Sequence, residues 1–155
     1  MFYLLESPYQ KISFNHLIVS PFYTRLKFIE LIQREIDNAN NGIESRIDLK
    51  LNSLTDLVLI NKLIEAAECG VKIRINARAL CSLIPVKSPN IKAIGIVDNY
   101  LEHARFFIFH NAGKPEFFLG SSDWMPRNLD NRIEVVAPIY DLKIPNLLAY
   151  VFWVS

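Results

Sequence analysis

A chain of 155 residues fits one domain and is long enough to bury a sizeable core. Hydrophobic residues make up 51% and charged residues 21%, which excludes a disordered chain. The formal net charge of +1 argues against a broadly basic nucleic-acid surface but leaves room for a local basic pocket.

Residues 1–16 have no clear periodicity and read as a lead-in. Leu17-Ile18-Val19 is a short buried-strand signal. Ser20-Pro21 reads as a helix start, with Ser as N-cap and Pro at the first helical position. Leu26, Ile29, Ile32 and Ile36 then repeat at helical spacing, and Asn41-Gly42 ends the helix. Arg46 to Asn52 alternates polar and apolar residues, as a strand does. Ser53 and Thr55 are candidate caps for a second helix, which carries Leu59, Leu63 and Ala66 on one face and ends at Cys69-Gly70. Val71 to Asn76 alternates again. The first half therefore predicts strand, helix, strand, helix, strand, with parallel pairing through right-handed crossovers. Asn52 and Arg78 fall at the carboxyl ends of two such strands, where ligands gather.

Residues 79–90 form a loop with two prolines, and Ile91 to Val97 is a short strand. Phe106–Phe109, Phe117–Leu119 and Ile133–Val136 are further strands extending the same sheet. The expected fold is α/β, a mixed sheet flanked by helices, in a single domain over 1–155. No apolar run approaches the ~20 residues of a membrane span, and no signal peptide opens the chain. Cys69 and Cys81 lie twelve residues apart without metal spacing and read as reduced thiols.

The chemistry concentrates between Asp98 and Val135. His103 is followed by Arg105, an aromatic strand, a turn, a second apolar strand and Gly120-Ser121-Ser122-Asp123. An imidazole transfers protons or attacks phosphorus, and a guanidinium grips phosphate oxygens with a two-pronged fork. A Gly-Ser-Ser loop offers hydroxyls and backbone N–H groups. Trp124 reads as a packing anchor, while Arg127 and Arg132 face either substrate or the acids Asp123, Asp130 and Glu134. His16 and His110 have no such partners and read as structural. Arg78 is either a solvated strand end or a phosphate contact.

The order His-x-Arg, strand, turn, strand, Gly-Ser-Ser-Asp is similar to the His-x-Lys and Gly-Ser-x-Asn pattern of phospholipase D-type phosphotransferases. Arg replaces Lys here, and Asp replaces Asn. The segments HLIVSPFYTRLKFIELIQREIDNANNG, RIDLKLNSLTD, GVKIRINARALCSLIP, NIKAIGIVDNYLEHARFFIF and SSDWMPRNLDNRIEVVAPI resemble the C-terminal part of the first class of bacterial polyphosphate kinases. They run in order from His16 to Ile139, about four-fifths of the chain, and LEHAR with SSDWMPRNLD is a specific signature.

That resemblance implies the second of two phospholipase D-like catalytic domains. It implies reversible transfer of the terminal phosphate of ATP to polyphosphate, with magnesium whose ligands lie outside this chain. His103 falls on the family's second active-site histidine and Arg78 on its nucleotide-phosphate arginine, with Arg105, Ser122 and Arg127 as secondary phosphate contacts. The phosphorylated histidine belongs to the family's preceding domain, so other polyphosphate kinase domains, or a homo-oligomer, are expected partners beside ATP, ADP and polyphosphate. No nucleic-acid partner is expected. The implied location is cytoplasmic, with membrane association as the alternative.

Several positions depart from the pattern. Ala79 stands where the family usually has Gly, Asn99 where it has Arg, and the loop from Ile84 to Asn90 is short. The tail over 140–155, apolar from Leu147 onward, replaces the family's helices. It is expected to pack on the sheet, to form a partner interface or to mark a truncated reading frame. The competing functional readings are a nucleotide- or polyphosphate-binding remnant without turnover, and half of a phospholipase D-type phosphodiesterase.

Overall fold

The computed structural model describes residues 14–83, 88–95 and 103–141. The tail beyond Asp141, most of the lead-in, Asn99 and residues 84–87 of the short loop lie outside the described residues.

Seven strands form one mixed sheet: β1 (Ile18–Val19), β2 (Arg46–Leu51), β3 (Lys72–Ala77), β4 (Ile91–Gly95), β5 (Arg105–Phe109), β6 (Glu116–Gly120) and β7 (Val135–Ile139). Their spatial order is β1-β7-β6-β5-β2-β3-β4. β2, β3 and β4 are parallel, while β5 is antiparallel to β2, β6 to β5 and β7 to β6. The helices are α1 (Thr24–Asn40), α2 (Leu57–Glu68) and the short α3 (Pro126–Asn131). The expected mixed α/β sheet is therefore present.

Alternation along the strands decides what is buried. Ile47, Leu49 and Leu51 of β2, with Ile73, Ile75 and Ala77 of β3 and Phe107 and Phe109 of β5, point to one face. Phe28, Leu31, Ile32 and Ile36 of α1 and Leu59, Leu63, Ala66 and Ala67 of α2 cover that face. The other face carries the polar partners of the alternation, such as Asp48, Lys50 and Arg74, beside a small cluster of Phe106, Ile108 and Phe117.

Four details correct the sequence reading. β1 does not begin a parallel unit: it pairs antiparallel with β7 at the far edge, and the Ser20 N–H donates to the Glu134 carbonyl at 2.9 Å. α1 begins at Thr24, because the Ser20 hydroxyl bonds Thr24 Oγ1 at 2.8 Å instead of capping a helix at Pro21. α2 is capped by Asp56, whose carboxylate accepts the Leu59 N–H at 3.0 Å. Ser53 and Thr55 are not its caps: the Thr55 N–H, like that of Asp56, bonds the Trp124 carbonyl at 2.8 Å. β7 starts at Val135: the chain bends at Arg132, and Ile133 and Glu134 lead into the strand without joining it.

The buried stripe of α1 is also rotated from the expected one. Phe28 is fully buried, whereas Leu26 is 66% exposed. Phe28 packs against Phe107 at 4.6 Å and Trp124 at 4.8 Å between ring centroids. Phe28→Ala is expected to cost about 3–5 kcal/mol through the cavity it leaves, and Leu26→Ala to stay within about 0.5 kcal/mol. Denaturant titration of both variants separates the two faces.

Glu35 sits fully buried on the same helix and accepts the Asn111 N–H at 2.7 Å. Burial pushes its carboxyl above the usual carboxylate range, and the Asn111 bond only partly opposes this. The folded state thus holds this proton more tightly than the unfolded chain. Its contribution to stability is complete below the ordinary Glu value and is lost as pH rises through the raised one. Glu35→Gln is expected to flatten that fall, measured by denaturant unfolding from acid to neutral pH.

Candidate active site

The site is built at the carboxyl edge of β2 and β3. Leu51 and Ala77 end those strands side by side, and the Ala79 N–H reaches the Asn52 carbonyl at 2.8 Å. Arg78 therefore stands beside Asn52, half-buried. β5 runs antiparallel to β2, pairing Phe106 with Lys50, so Arg105 and the preceding His103 arrive at the same edge. β6 runs antiparallel to β5 with Gly120 opposite Arg105, which delivers the Ser121-Ser122-Asp123 loop there too.

Gly120 is required by close approach. A Cβ at that position would lie 2.7 Å from Val136 Cγ2 and 3.1 Å from the Val135 carbonyl. Any larger residue would push β6 and β7 apart and move the loop.

Asp123 is the centre of the polar network. Its carboxylate takes the Arg105 guanidinium in a two-point grip, Nε to Oδ1 and Nη2 to Oδ2, both at 2.9 Å. Oδ1 also accepts the backbone N–H groups of Asn52 at 2.8 Å and Ser53 at 3.0 Å. Both side chains are buried, with 10% of Arg105 and 5% of Asp123 exposed. Arg105 then reaches back to His103. Nη1 donates to its carbonyl at 2.9 Å, and Nη2 lies 3.0 Å from its Nε2. A guanidinium only donates, so this contact assigns Nε2 as acceptor and puts the ring proton on Nδ1. The imidazole itself is exposed at the edge.

Ser122 faces inward, whereas Ser121 is exposed. Ser122 is fully buried and its hydroxyl donates to the Asp123 carbonyl at 3.0 Å. The Ser121 hydroxyl donates to the Glu134 carboxylate and accepts the Val135 N–H at 3.2 Å. Arg127, the second residue of α3, is exposed and has no ion pair among the described residues. Arg132 lies 3.9 Å from Glu134. Trp124 is wholly buried, parallel to Phe107 with 5.6 Å between centroids, as a packing anchor should be.

The edge thus gathers His103, Arg78, Arg105 and the Gly-Ser-Ser-Asp loop. His16 and His110 lie elsewhere, bonded to the Tyr140 hydroxyl at 3.0 Å and the Glu44 carbonyl at 2.8 Å. A cavity of about 660 Å³ opens beside α1 and β6, with His16, Arg34 and Tyr140 on its walls; none of the edge residues lines it. Among the described residues no three His, Cys, Asp or Glu side chains gather as a metal site. Asp123, already committed to Arg105, is not available as the start of one. These residues do not fit a magnesium cage. No helix among them is long and apolar enough to cross a membrane.

Motif reading missed Asn52 and Ser53 as partners of Asp123, and Glu134 as the partner of Ser121. One signal was present: the two departures from the phospholipase D pattern, Arg for Lys and Asp for Asn, are complementary, since a guanidinium fork fits a carboxylate.

Comparison with known proteins agrees with this architecture. The Nuc protein of Salmonella typhimurium, a phospholipase D family member, superposes with a TM-score of 0.65 over 88% of this chain and 90% of Nuc. At 14% identity, that likeness concerns the fold alone. A crystal structure of polyphosphate kinase from Porphyromonas gingivalis is 37% identical with a TM-score of 0.89, covering 97% of this chain and 24% of that one. The polyphosphate kinase of Vibrio cholerae is 48% identical over 147 residues, and that of Escherichia coli K12 is 46% identical over the same length. Each alignment takes in 93% of this chain, which spans about a fifth of those relatives (21%). The model of the second C-terminal domain of polyphosphate kinase matches residues 17–154, and the chain belongs to that family.

Proposed function

We propose that this chain supplies one side of a site that reversibly moves the terminal phosphate of ATP onto polyphosphate. The observation that carries the reading is the Asp123–Arg105–His103 relay of hydrogen bonds, which fixes an exposed imidazole at the edge that also bears Arg78. Phosphoryl transfer needs positioning and charge neutralisation more than covalent chemistry from each group. With Nε2 held by Arg105, the Nδ1 proton is the one His103 can offer to a phosphoryl oxygen. His103 therefore acts by donating a hydrogen bond or a proton to developing charge. Arg78 grips nucleotide phosphate oxygens, with Arg127 as a second cation on the same edge. Arg105 and Ser122 serve by holding the loop and the imidazole. Magnesium, when bound, supplies charge neutralisation from ligands on other domains. Further polyphosphate kinase domains, or a second copy, complete the site, in a cytoplasmic setting.

A route through phosphohistidine needs a nucleophilic imidazole opposite His103, and the other two histidines of the chain are engaged away from the edge. The isolated chain is thus expected to bind phosphates weakly and to transfer none. Robust ATP-to-polyphosphate transfer by the purified chain, lost in His103→Ala, would overturn the one-sided reading.

Arg78→Lys is expected to weaken ATP binding roughly tenfold, about 1.4 kcal/mol, because an ammonium cannot reproduce the fork. Calorimetric titration at fixed salt is the measurement, and unchanged affinity removes Arg78 from the site. Asp123→Asn strands a buried guanidinium and is expected to cost about 3–5 kcal/mol of stability in denaturant unfolding.

A further inference from the structure

The opposite end of the same strands holds a second cluster that the proposed chemistry does not use. A cavity of about 410 Å³ opens at the amino ends of β2, β3 and β4, lined by Arg46, Lys72, Arg74 and Lys92 together with Glu44, Asn90 and neighbouring backbone. The strand register puts Arg46 directly beside Lys72, and Arg74 directly beside Lys92. Like charges in such cross-strand pairs destabilise a sheet. Asp48 relieves only part of this: it takes Arg74 in a two-point grip and lies 3.3 Å from Arg46. Lys72 and Lys92 are exposed and have no ion pair among the described residues. Four cations thus surround a hollow with two carboxylates nearby, on a chain whose net charge is only +1.

We propose that this cavity is a second anion site, which holds a polyphosphate chain at a distance from its reacting end. The inference rests on the polyphosphate reading of the edge site and extends it. β2 separates the two sites by roughly 17 Å, five steps at about 3.3 Å each. A long chain of phosphates can therefore engage both, and linked contacts raise affinity beyond either alone. ATP and tripolyphosphate are too short to gain from both. Condensed phosphate fits better than nucleic acid. Among the described residues the cavity wall has no aromatic side chain on which a base could stack, while lysine and arginine suit bare phosphate oxygens.

The test uses the intact 155-residue chain. Lysine acetylation read by mass spectrometry, with long-chain polyphosphate, tripolyphosphate, ATP or single-stranded DNA present, reports the cavity directly. Lys62, on the helix side of the sheet, serves as the internal reference. Long-chain polyphosphate is expected to protect Lys72 and Lys92 most strongly. Lys72→Ala/Lys92→Ala is expected to weaken long-chain binding roughly tenfold and to reduce its salt dependence, while ATP affinity stays the same. Unprotected lysines with unchanged long-chain affinity would overturn the proposal, as would equal protection by DNA. The two readings fail separately. If Arg78→Lys leaves ATP binding untouched while Lys72 and Lys92 remain protected, the edge assignment falls and the cavity assignment stands.

Discussion

The buried pair of Arg105 and Asp123 is the contact on which the edge depends. Taking two charges out of water costs several kcal/mol each unless their hydrogen-bonding capacity is filled. Here it is filled. Asp123 receives two bonds from the guanidinium and two from the backbone N–H groups of Asn52 and Ser53. Arg105 gives its remaining reach to the carbonyl and ring of His103. Three segments far apart in sequence, after β2, before β5 and after β6, are thereby tied at one point. A single guanidinium–carboxylate contact sets the position of the loop, the strand end and the imidazole together.

The aromatic core anchors that point from below. Trp124 follows Asp123 directly and packs with Phe28 and Phe107 in a triad of rings that all touch one another. Its carbonyl accepts the N–H groups of Thr55 and Asp56, and the Asp56 side chain then caps α2. Arg25 of α1 holds Asp56 at 2.8 Å and also pairs with Asp130 of α3. Loop, helix start and both flanking helices are therefore linked in one network of bonds.

Much of this was legible in the chain. The alternation of β2 and β3, the glycine stops of α1 and α2, and the order His, Arg, strand, turn, strand, Gly-Ser-Ser-Asp all name local features that the fold keeps. What escaped reading was decided by distant partners. β1 has two residues, too few to state whether it pairs parallel with β2 or antiparallel with β7. α1 carries apolar residues at 26, 28, 29, 31, 32 and 36, enough for two overlapping stripes, and only the packing of Phe28 on Phe107 and Trp124 selects one. Ser122 looks like a free hydroxyl in a Gly-Ser-Ser loop, yet the descent of Trp124 into the core carries it inside. Asp123 could have answered Arg127 or Arg132 from sequence alone. The pairing of β5 with β6 places Arg105 opposite Gly120 and close to it.

The sheet also explains how cationic side chains come to gather at both ends of the same strands. Period-two alternation commits every second residue of β2 and β3 to the helix-covered core, and leaves the residues between them for charge. At the carboxyl edge the strands give way to loops whose backbone can fold around an ion pair. At the amino edge they carry their charges on the strands themselves, in fixed register, where a loop cannot relax the repulsion. Asp48 is shared there by two arginines, Arg46 on its own strand and Arg74 directly opposite on β3. The strain of opposed cations is thus built into the register that forms the edge site: moving β3 by one residue relative to β2 to separate Arg46 from Lys72 would turn Ile73 and Ile75 out of the core and carry Arg78 away from Asn52.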